Sequence, residues 1–465
     1  MKSLKMIMLL AVFVSALTSA SFGEEVLSLD HYMEKVTEKL PEIRQKLIAE
    51  EKASLNMIIA DSYKDLTLSA GGSYSGTTGY SGYDYANGLS LYTRMDKTLA
   101  STGATLSAGM EYDFTGTDTA GNTTERFSPA LTLDVTQPLL KNYFGTLDKI
   151  PYLKSKLDLQ IRKLQTAEDL AALRTDFTKL YYQWASMKTA MGLLEKRIEN
   201  ARLMEEEIIR RFRNNLADAD DVHQSHATVL TYKESYAQTK RSIAQLKKQL
   251  APYIHLEGKM PDLGIYEALW QRAAGFDFSM KRFEETRAYH ILAVTLEQAG
   301  LDITLSQEKT KPELNLSAGL TFKTQAEEFS DSYKIGDADY RVSLTFRVPL
   351  GNRAAKSAEA VSKLEYESLG LEIEKAAMNY EKSLGSLNAL SEGNRELLEL
   401  RRENLETLKS QYDAQRTKYN QARLELNSLI QTDNQITSEM IQINDLKYSL
   451  IENYLEYLYL TEQKR

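Results

Sequence analysis

Three carboxylates sit just past a break in a long helical pattern: Asp218, Asp220 and Asp221 follow Asn214 and Asn215. Acids suit the N-terminal end of a helix, where they cap free N–H groups and oppose the helix dipole. If several copies surround an axis, the same acids become rings that narrow a pore and favour cations. The two roles are compatible. A second break lies near Asn420–Arg423, and beside it Arg423 and Glu425 are candidates for a pairing that holds a pore shut, or else ordinary solvated charges. His223 and His226 stand three apart next to Asp220, a spacing that could hold a metal ion. More often such a pair is simply solvated, and no metal site is expected. Arg341, Ser343, Thr345 and Arg347 alternate with Val342, Leu344, Phe346 and Val348. In a barrel the polar set, with Arg341 and Arg347, would line the lumen and the apolar set would meet lipid; in a soluble sandwich the arginines would face bulk water.

No enzyme site emerges. There is no Gly-x-Ser-x-Gly, no phosphate loop, no metal-ligand cluster and no nucleophile–histidine pair, so neither catalysis nor a cofactor is expected. The chain has 465 residues and a net charge of −8, with no basic stripe to neutralise phosphates, so nucleic acid is not an expected partner. With 26% charged and 42% apolar residues it is not a disordered chain. It has no cysteine, which excludes disulfides, Cys-zinc sites and a thiol nucleophile.

Residues 1–23 read as a signal peptide: Lys2 and Lys5, an apolar run from Met6 to Leu17, then small residues. The run is well short of the ~20 residues needed to span a bilayer, which argues against a membrane anchor. No later stretch reaches 18 apolar residues. An exported chain without spanning helices is periplasmic, extracellular, or in an outer membrane as a barrel.

The elements that must position these residues form a repeat. Leu66-Thr67-Leu68-Ser69-Ala70-Gly71 reappears as Leu314-Asn315-Leu316-Ser317-Ala318-Gly319. Strands are expected at about 66–74, 127–139, 312–322 and 340–349, all alternating with period two. Helices are expected over 29–63, interrupted at Pro41, and over 282–307, with a short helix at 266–273. Each pair of strands is followed by a helical hairpin, 147–250 and 354–460, whose first arm is about 65 residues or ~100 Å long. An arm of that length needs partners throughout, as in a coiled coil. The repeats are 24–280, including an equatorial segment at 252–280, and 281–465. The first carries roughly 37 extra residues between its strands, Gly-, Ser-, Thr- and Tyr-rich, read as an exposed loop with an extra hairpin and an aromatic belt. Alternating pieces near 89–95 and 104–114 support the hairpin; the sequence does not decide between loop and strands. About four strands cannot close a membrane barrel, since the smallest have about eight. Other copies must complete them.

This arrangement resembles the outer-membrane factor family, the TolC-like channels of tripartite efflux pumps and type I secretion. The resemblance spans nearly the whole mature chain. It rests on Gln137-Pro138-Leu139-Leu140 with Gly145, on Val348-Pro349-Leu350-Gly351, on the duplicated layout, and on the tips around Arg211–Leu216 and Lys418–Ala422. It implies a mainly α fold with a membrane β-barrel portion. As a homotrimer this would be a twelve-stranded barrel, four strands per chain, continuous with an α-helical periplasmic tunnel. The tunnel tip would be closed at rest and engaged by a periplasmic adaptor protein linked to an inner-membrane pump. Tyr419 matches a tip position that hydrogen-bonds near the constriction in the family; ordinary helix packing explains it as well. The family usually has glycine in each tip turn, where this chain has Asn215 and Ala422. Its paired aspartates are replaced by Ser428 and Gln431, and its tip arginine position by Leu424, with Arg423 one step off. The function expected is a passive exit duct in the outer membrane with most of its mass in the periplasm. The competing reading is a soluble periplasmic or surface coiled-coil protein with a small β domain.

Overall fold

The computed structural model describes residues 24–79, 85–119, 121–279, 281–334, 336–421 and 423–462. The expected signal peptide lies outside them. In chain order the elements are β1 (Glu25–Leu27), α1 (Leu29–Lys39), α2 (Pro41–Asp61), β2 (Leu66–Thr78), β3 (Tyr85–Thr98), β4 (Thr105–Thr119), β5 (Asn122–Pro138), α3 (Thr146–Arg213), α4 (Ala219–Leu250), β6 (Lys259–Pro261), α5 (Leu263–Ala274), α6 (Arg287–Thr310), β7 (Glu313–Lys323), β8 (Ala338–Arg347), α7 (Arg353–Asn420) and α8 (Leu426–Leu460). Pro41 opens a new helix, as its fixed φ allows at a first helical position. The helix expected from 282 begins only at Arg287, because Phe283–Glu285 form a 3₁₀ turn. The chain forms two compact units, which cut across both sequence repeats.

The first unit comprises 24–45, 168–286 and 378–462 among the described residues. Its core runs along helix seams with a period of seven. Leu429, Ile436, Ile443, Leu450 and Tyr457 are buried on α8, and Leu194, Ala201 and Ile208 on α3. A strict seven-residue repeat keeps one seam facing a partner helix and imposes a left-handed supercoil. A short parallel pair, β1 with β6, was not foreseen: Glu25 aligns with Lys259 and Leu27 with Pro261. Buried Tyr181 ties the two strands together. Its hydroxyl donates to the Leu27 carbonyl (2.6 Å) and accepts from the Asp262 N–H (2.9 Å).

The second unit comprises 46–167 and 287–377 and holds the main sheet. Among the described residues this sheet has six strands in the order β2-β3-β4-β5-β7-β8, every neighbouring pair antiparallel. That is two more than the four expected per chain. The first-half insertion is the added hairpin β3–β4, and its strands are longer than the alternating pieces suggested. The corresponding loop in the second half carries only a 3₁₀ turn, Phe329–Tyr333. Both strand-to-helix junctions need left-handed backbone, at Asn142, Phe144 and Gly145 in one and Gly351 and Asn352 in the other. Asn142 turns this into a cap for α3: its Oδ1 accepts from the Leu147 N–H (2.8 Å) and its Nδ2 donates to Asp148 (2.8 Å). Gly103, at φ 74°, lies against this junction; a Cβ there would come within 2.5 Å of the Gly145 nitrogen.

Candidate functional site

Two regions hold the residues singled out above, the hairpin tips in the first unit and the two faces of the sheet in the second.

At the first tip α3 ends on a Schellman-like turn. The Leu216 N–H donates to the Arg211 carbonyl (2.8 Å), and Asn215 sits at φ 57°. Asparagine is one of the few residues that tolerates this left-handed position, so it stands where glycine usually closes a helix. Asp218 caps α4 and forms a capping box with Asp221, its N–H donating to Asp221 Oδ2 at 3.3 Å. Asp220 accepts from Gln224 (2.7 Å). At the second tip the Arg423 N–H donates to the Lys418 carbonyl (2.9 Å), the same six-residue closure. Ala422 lies outside the described residues. Glu425 is the N-cap of α8 without a side-chain capping bond. The Arg423 guanidinium reaches Gln421 (3.4 Å), not Glu425, so among the described residues the pairing expected of Arg423 and Glu425 does not form within one chain. His226 lies 2.7 Å from Glu205, and no group of three or more metal-ligating side chains occurs among the described residues.

Tyr419 joins the tips. It packs with Ile208, Leu426, Leu429 and Ile430, and the Arg211 guanidinium lies 4.3 Å over its ring. Arg211 also donates to the Tyr419 carbonyl (3.3 Å) and to Asn420 (3.4 Å). The Tyr419 hydroxyl is buried with no partner among the described residues. Burial raises its pKa and the Arg211 charge works against that rise. Beside it a cavity of about 360 Å³ is lined by Met204, Glu207, Tyr412, Arg416, Tyr419 and Leu429, among others.

The most buried charges of this region were missed. Arg197 and Asp433 pair at 2.8 Å with side chains 14% and 10% exposed. The Tyr232 hydroxyl donates to the other Asp433 oxygen (2.7 Å) and accepts from Thr437 (3.2 Å). Burial, then the neighbouring Asp433 charge, pushes the Tyr232 pKa well up. The signal was present in the sequence: Asp433 follows Leu429 and Ile430 by four and three residues, on the apolar stripe of α8.

The two faces of the sheet differ in chemistry. Arg341 lies 3.4 Å from Asp134, reaching across Gly319 on the strand between them. Arg347 lies 3.6 Å from Glu313, which also pairs with Lys141 at 2.9 Å. Both predicted arginines are thus on the polar face and have carboxylate partners. The opposite face is apolar and open: Leu68 is 69% exposed, Val342 69% and Leu344 63%. Leaving such a side chain in water rather than burying it costs about 1.5–3 kcal/mol each. A contiguous apolar patch of this kind marks a surface made for another phase or partner. At the loop end of the sheet Phe114, Phe127, Phe329 and Tyr333 pack in a chain of ring contacts of 5.1–5.8 Å. No helix among the described residues is long and apolar enough to cross a membrane.

This fold is that of the TolC-like outer-membrane channels. The chain is similar to CusC, whose structures concern folding and transmembrane channel formation, with a TM-score of 0.69 at 12% identity over 94% of this chain and 92% of that one. It is similar to the outer membrane protein VceC of Vibrio cholerae, with a TM-score of 0.66 at 12% identity over 94% and 96%. The open-state outer membrane channel MtrE of Neisseria gonorrhoeae gives 0.60 at 14% identity over 96% and 93%. No family model and no curated protein matches the sequence.

Proposed function

We propose that the chain is one copy of a trimeric, passive exit duct in the outer membrane. The apolar sheet face meets lipid, the polar face with Arg341 and Arg347 lines the lumen, and the helical hairpins extend into the periplasm. The tips around Asn215, Asp218, Asp220, Asp221, Tyr419, Arg423 and Glu425 form the gate and the docking surface for a periplasmic adaptor. An inner-membrane pump supplies the energy. One observation carries this reading: a two-faced sheet, apolar on one side and unpaired at both edges among the described residues, on the fold of outer-membrane channels. In lipid each unpaired backbone group at an edge would cost several kcal/mol, so the edges demand other copies. Fractionation tests it. The protein should be found in outer membranes, require detergent, and run as a heat-modifiable trimer. A soluble monomer or dimer would contradict the proposal.

A further inference from the structure

We infer that the closed barrel contains eighteen strands, six from each of three copies, and that its seam joins β2 of one copy to β8 of a second copy of this chain. The inference rests on the duct reading above and adds the wall, the partner edge and the width.

The alternative is a smaller barrel in which the β3–β4 hairpin stands outside the wall and β2 pairs directly with β5. The register argues against it. β3 occupies the inner edge of β2 along its length, from Leu66 opposite Lys97 to Thr78 opposite Tyr85. β4 occupies β5 from Thr119 opposite Asn122 to Thr105 opposite Thr136. Neither β2 nor β5 has a free edge facing the other.

The hairpin also shares the chemistry of the wall. One row across all six strands reads Leu68, Met95, Ala108, Leu133, Leu320, Tyr340. The next row, on the opposite face, reads Thr67, Asp96, Ser107, Asp134, Gly319, Arg341. Within that polar row Asp96 accepts from the Ser107 hydroxyl (2.5 Å) and from Arg94 (2.9 Å), a bond network inside the added hairpin. Between Leu89 and Met95 on β3 and between Leu106 and Phe114 on β4, all but Thr93 of the residues on the side shared with Leu68 and Leu133 are apolar or aromatic, and a hairpin outside a lipid-facing wall would have no reason to keep that match. β3 has 14 residues and β4 has 15, beyond the roughly 9–11 that cross a bilayer. The turn between them is fastened to the strand-to-helix junction by the Gly103–Gly145 approach, and Gln137 donates to the Thr102 carbonyl (2.9 Å).

The outer edges fit a second copy. Among the described residues β2 and β8 each pair on one side only, and they run in opposite directions. Head-to-tail repetition therefore continues the antiparallel ladder and keeps the apolar face outward. Barrel width grows roughly linearly with strand number, so eighteen strands give a lumen about half again as wide as twelve. Barrels of about that number hold an open aqueous channel rather than a core filled by side chains.

Paired cysteines test the wall in the full-length protein, which has no cysteine of its own. Thr136→Cys with Ser317→Cys, whose hydroxyls lie 3.0 Å apart across β5 and β7, reports a folded sheet by forming an intrachain disulfide. Ser343→Cys on β8 is combined in turn with Thr67→Cys, Ser69→Cys, Ser73→Cys and Ser75→Cys on β2. Ser69→Cys with Thr132→Cys probes β2 against β5; these positions lie three strand spacings apart, roughly 14 Å, too far for a disulfide. Oxidation in outer membranes should link β8 to β2 between chains in one register, giving a ladder that ends at three chains, and should leave the 69–132 pair unlinked. A trimer that forms the 69–132 disulfide overturns the eighteen-strand wall and leaves the duct intact. A ladder ending at two chains, or passing three, overturns it equally. Protein recovered only in the soluble fraction removes the duct reading, and this inference with it.

Discussion

Arg197 and Asp433 lie where little water reaches them, on helices whose neighbouring positions are apolar. Removing one partner strands the other charge. Asp433→Ala should destabilise the protein by about 3 kcal/mol, read as a lower denaturant midpoint, and an unchanged midpoint would mean the pair is solvated. Replacing both residues by apolar ones of similar volume should cost less than the single change. Tyr419 offers the opposite expectation. Its hydroxyl has no partner within the described chain, so Tyr419→Phe should leave the stability of the isolated protein unchanged or slightly higher. A clear loss would show that a neighbouring copy supplies the missing bond. Asn215 is held at φ 57°, so Asn215→Ala should cost about 1 kcal/mol while Asn215→Gly is tolerated, as compared by thermal unfolding. Its role could be read from the sequence because asparagine between two helical patterns has few other uses. The Arg197–Asp433 pair could not be assigned in the same way, because the partners are far apart in the chain and meet only once two helices pack.

The long helices were the most legible elements. Apolar residues three and four apart, the long runs without glycine or proline and the breaks at Asn214–Asn215 and Asn420–Arg423 located α3, α4, α7 and α8 to within a residue or two at most ends. Strands in the insertion were harder to read. Residues such as Gly88, Gly109 and Gly116 sit inside strands, where glycine and serine usually signal a loop. Here they make room across the ladder: a Cβ at Gly109 would come within 2.7 Å of the Thr132 hydroxyl, and one at Gly116 within 2.3 Å of the Asn87 side-chain oxygen. The three-residue pair β1–β6 carries too little periodicity to be seen at all. Gly103→Val combines a left-handed backbone position with a clash against the Gly145 backbone. It should loosen the hairpin turn and lower the temperature at which the assembled protein dissociates in detergent. An unchanged temperature would mean that the turn is not anchored there.

At the scale of the whole molecule, the proposed duct requires that the apolar sheet face meet lipid and that the acids of the hairpin tips face the pore. Capping explains Asp218 and Asp221 without any pore, so selectivity must be measured separately. Under the proposed trimer Asp220 becomes a ring of three, and Asp220→Lys should reduce cation preference in bilayer recordings; an unaltered preference would take it out of the ion path. The strand copies in the sequence point to a duplication, whereas the division into two units that cut across those repeats follows only from packing. Under the proposed function, three copies enclose a water-filled path through a membrane. Purified protein reconstituted into planar bilayers tests it most directly, with subunit stoichiometry counted on the same preparation. Discrete conductance steps are expected from trimers inserted through their strands. Detergent-free soluble protein that never conducts, or a conducting particle with a different number of chains, would contradict it.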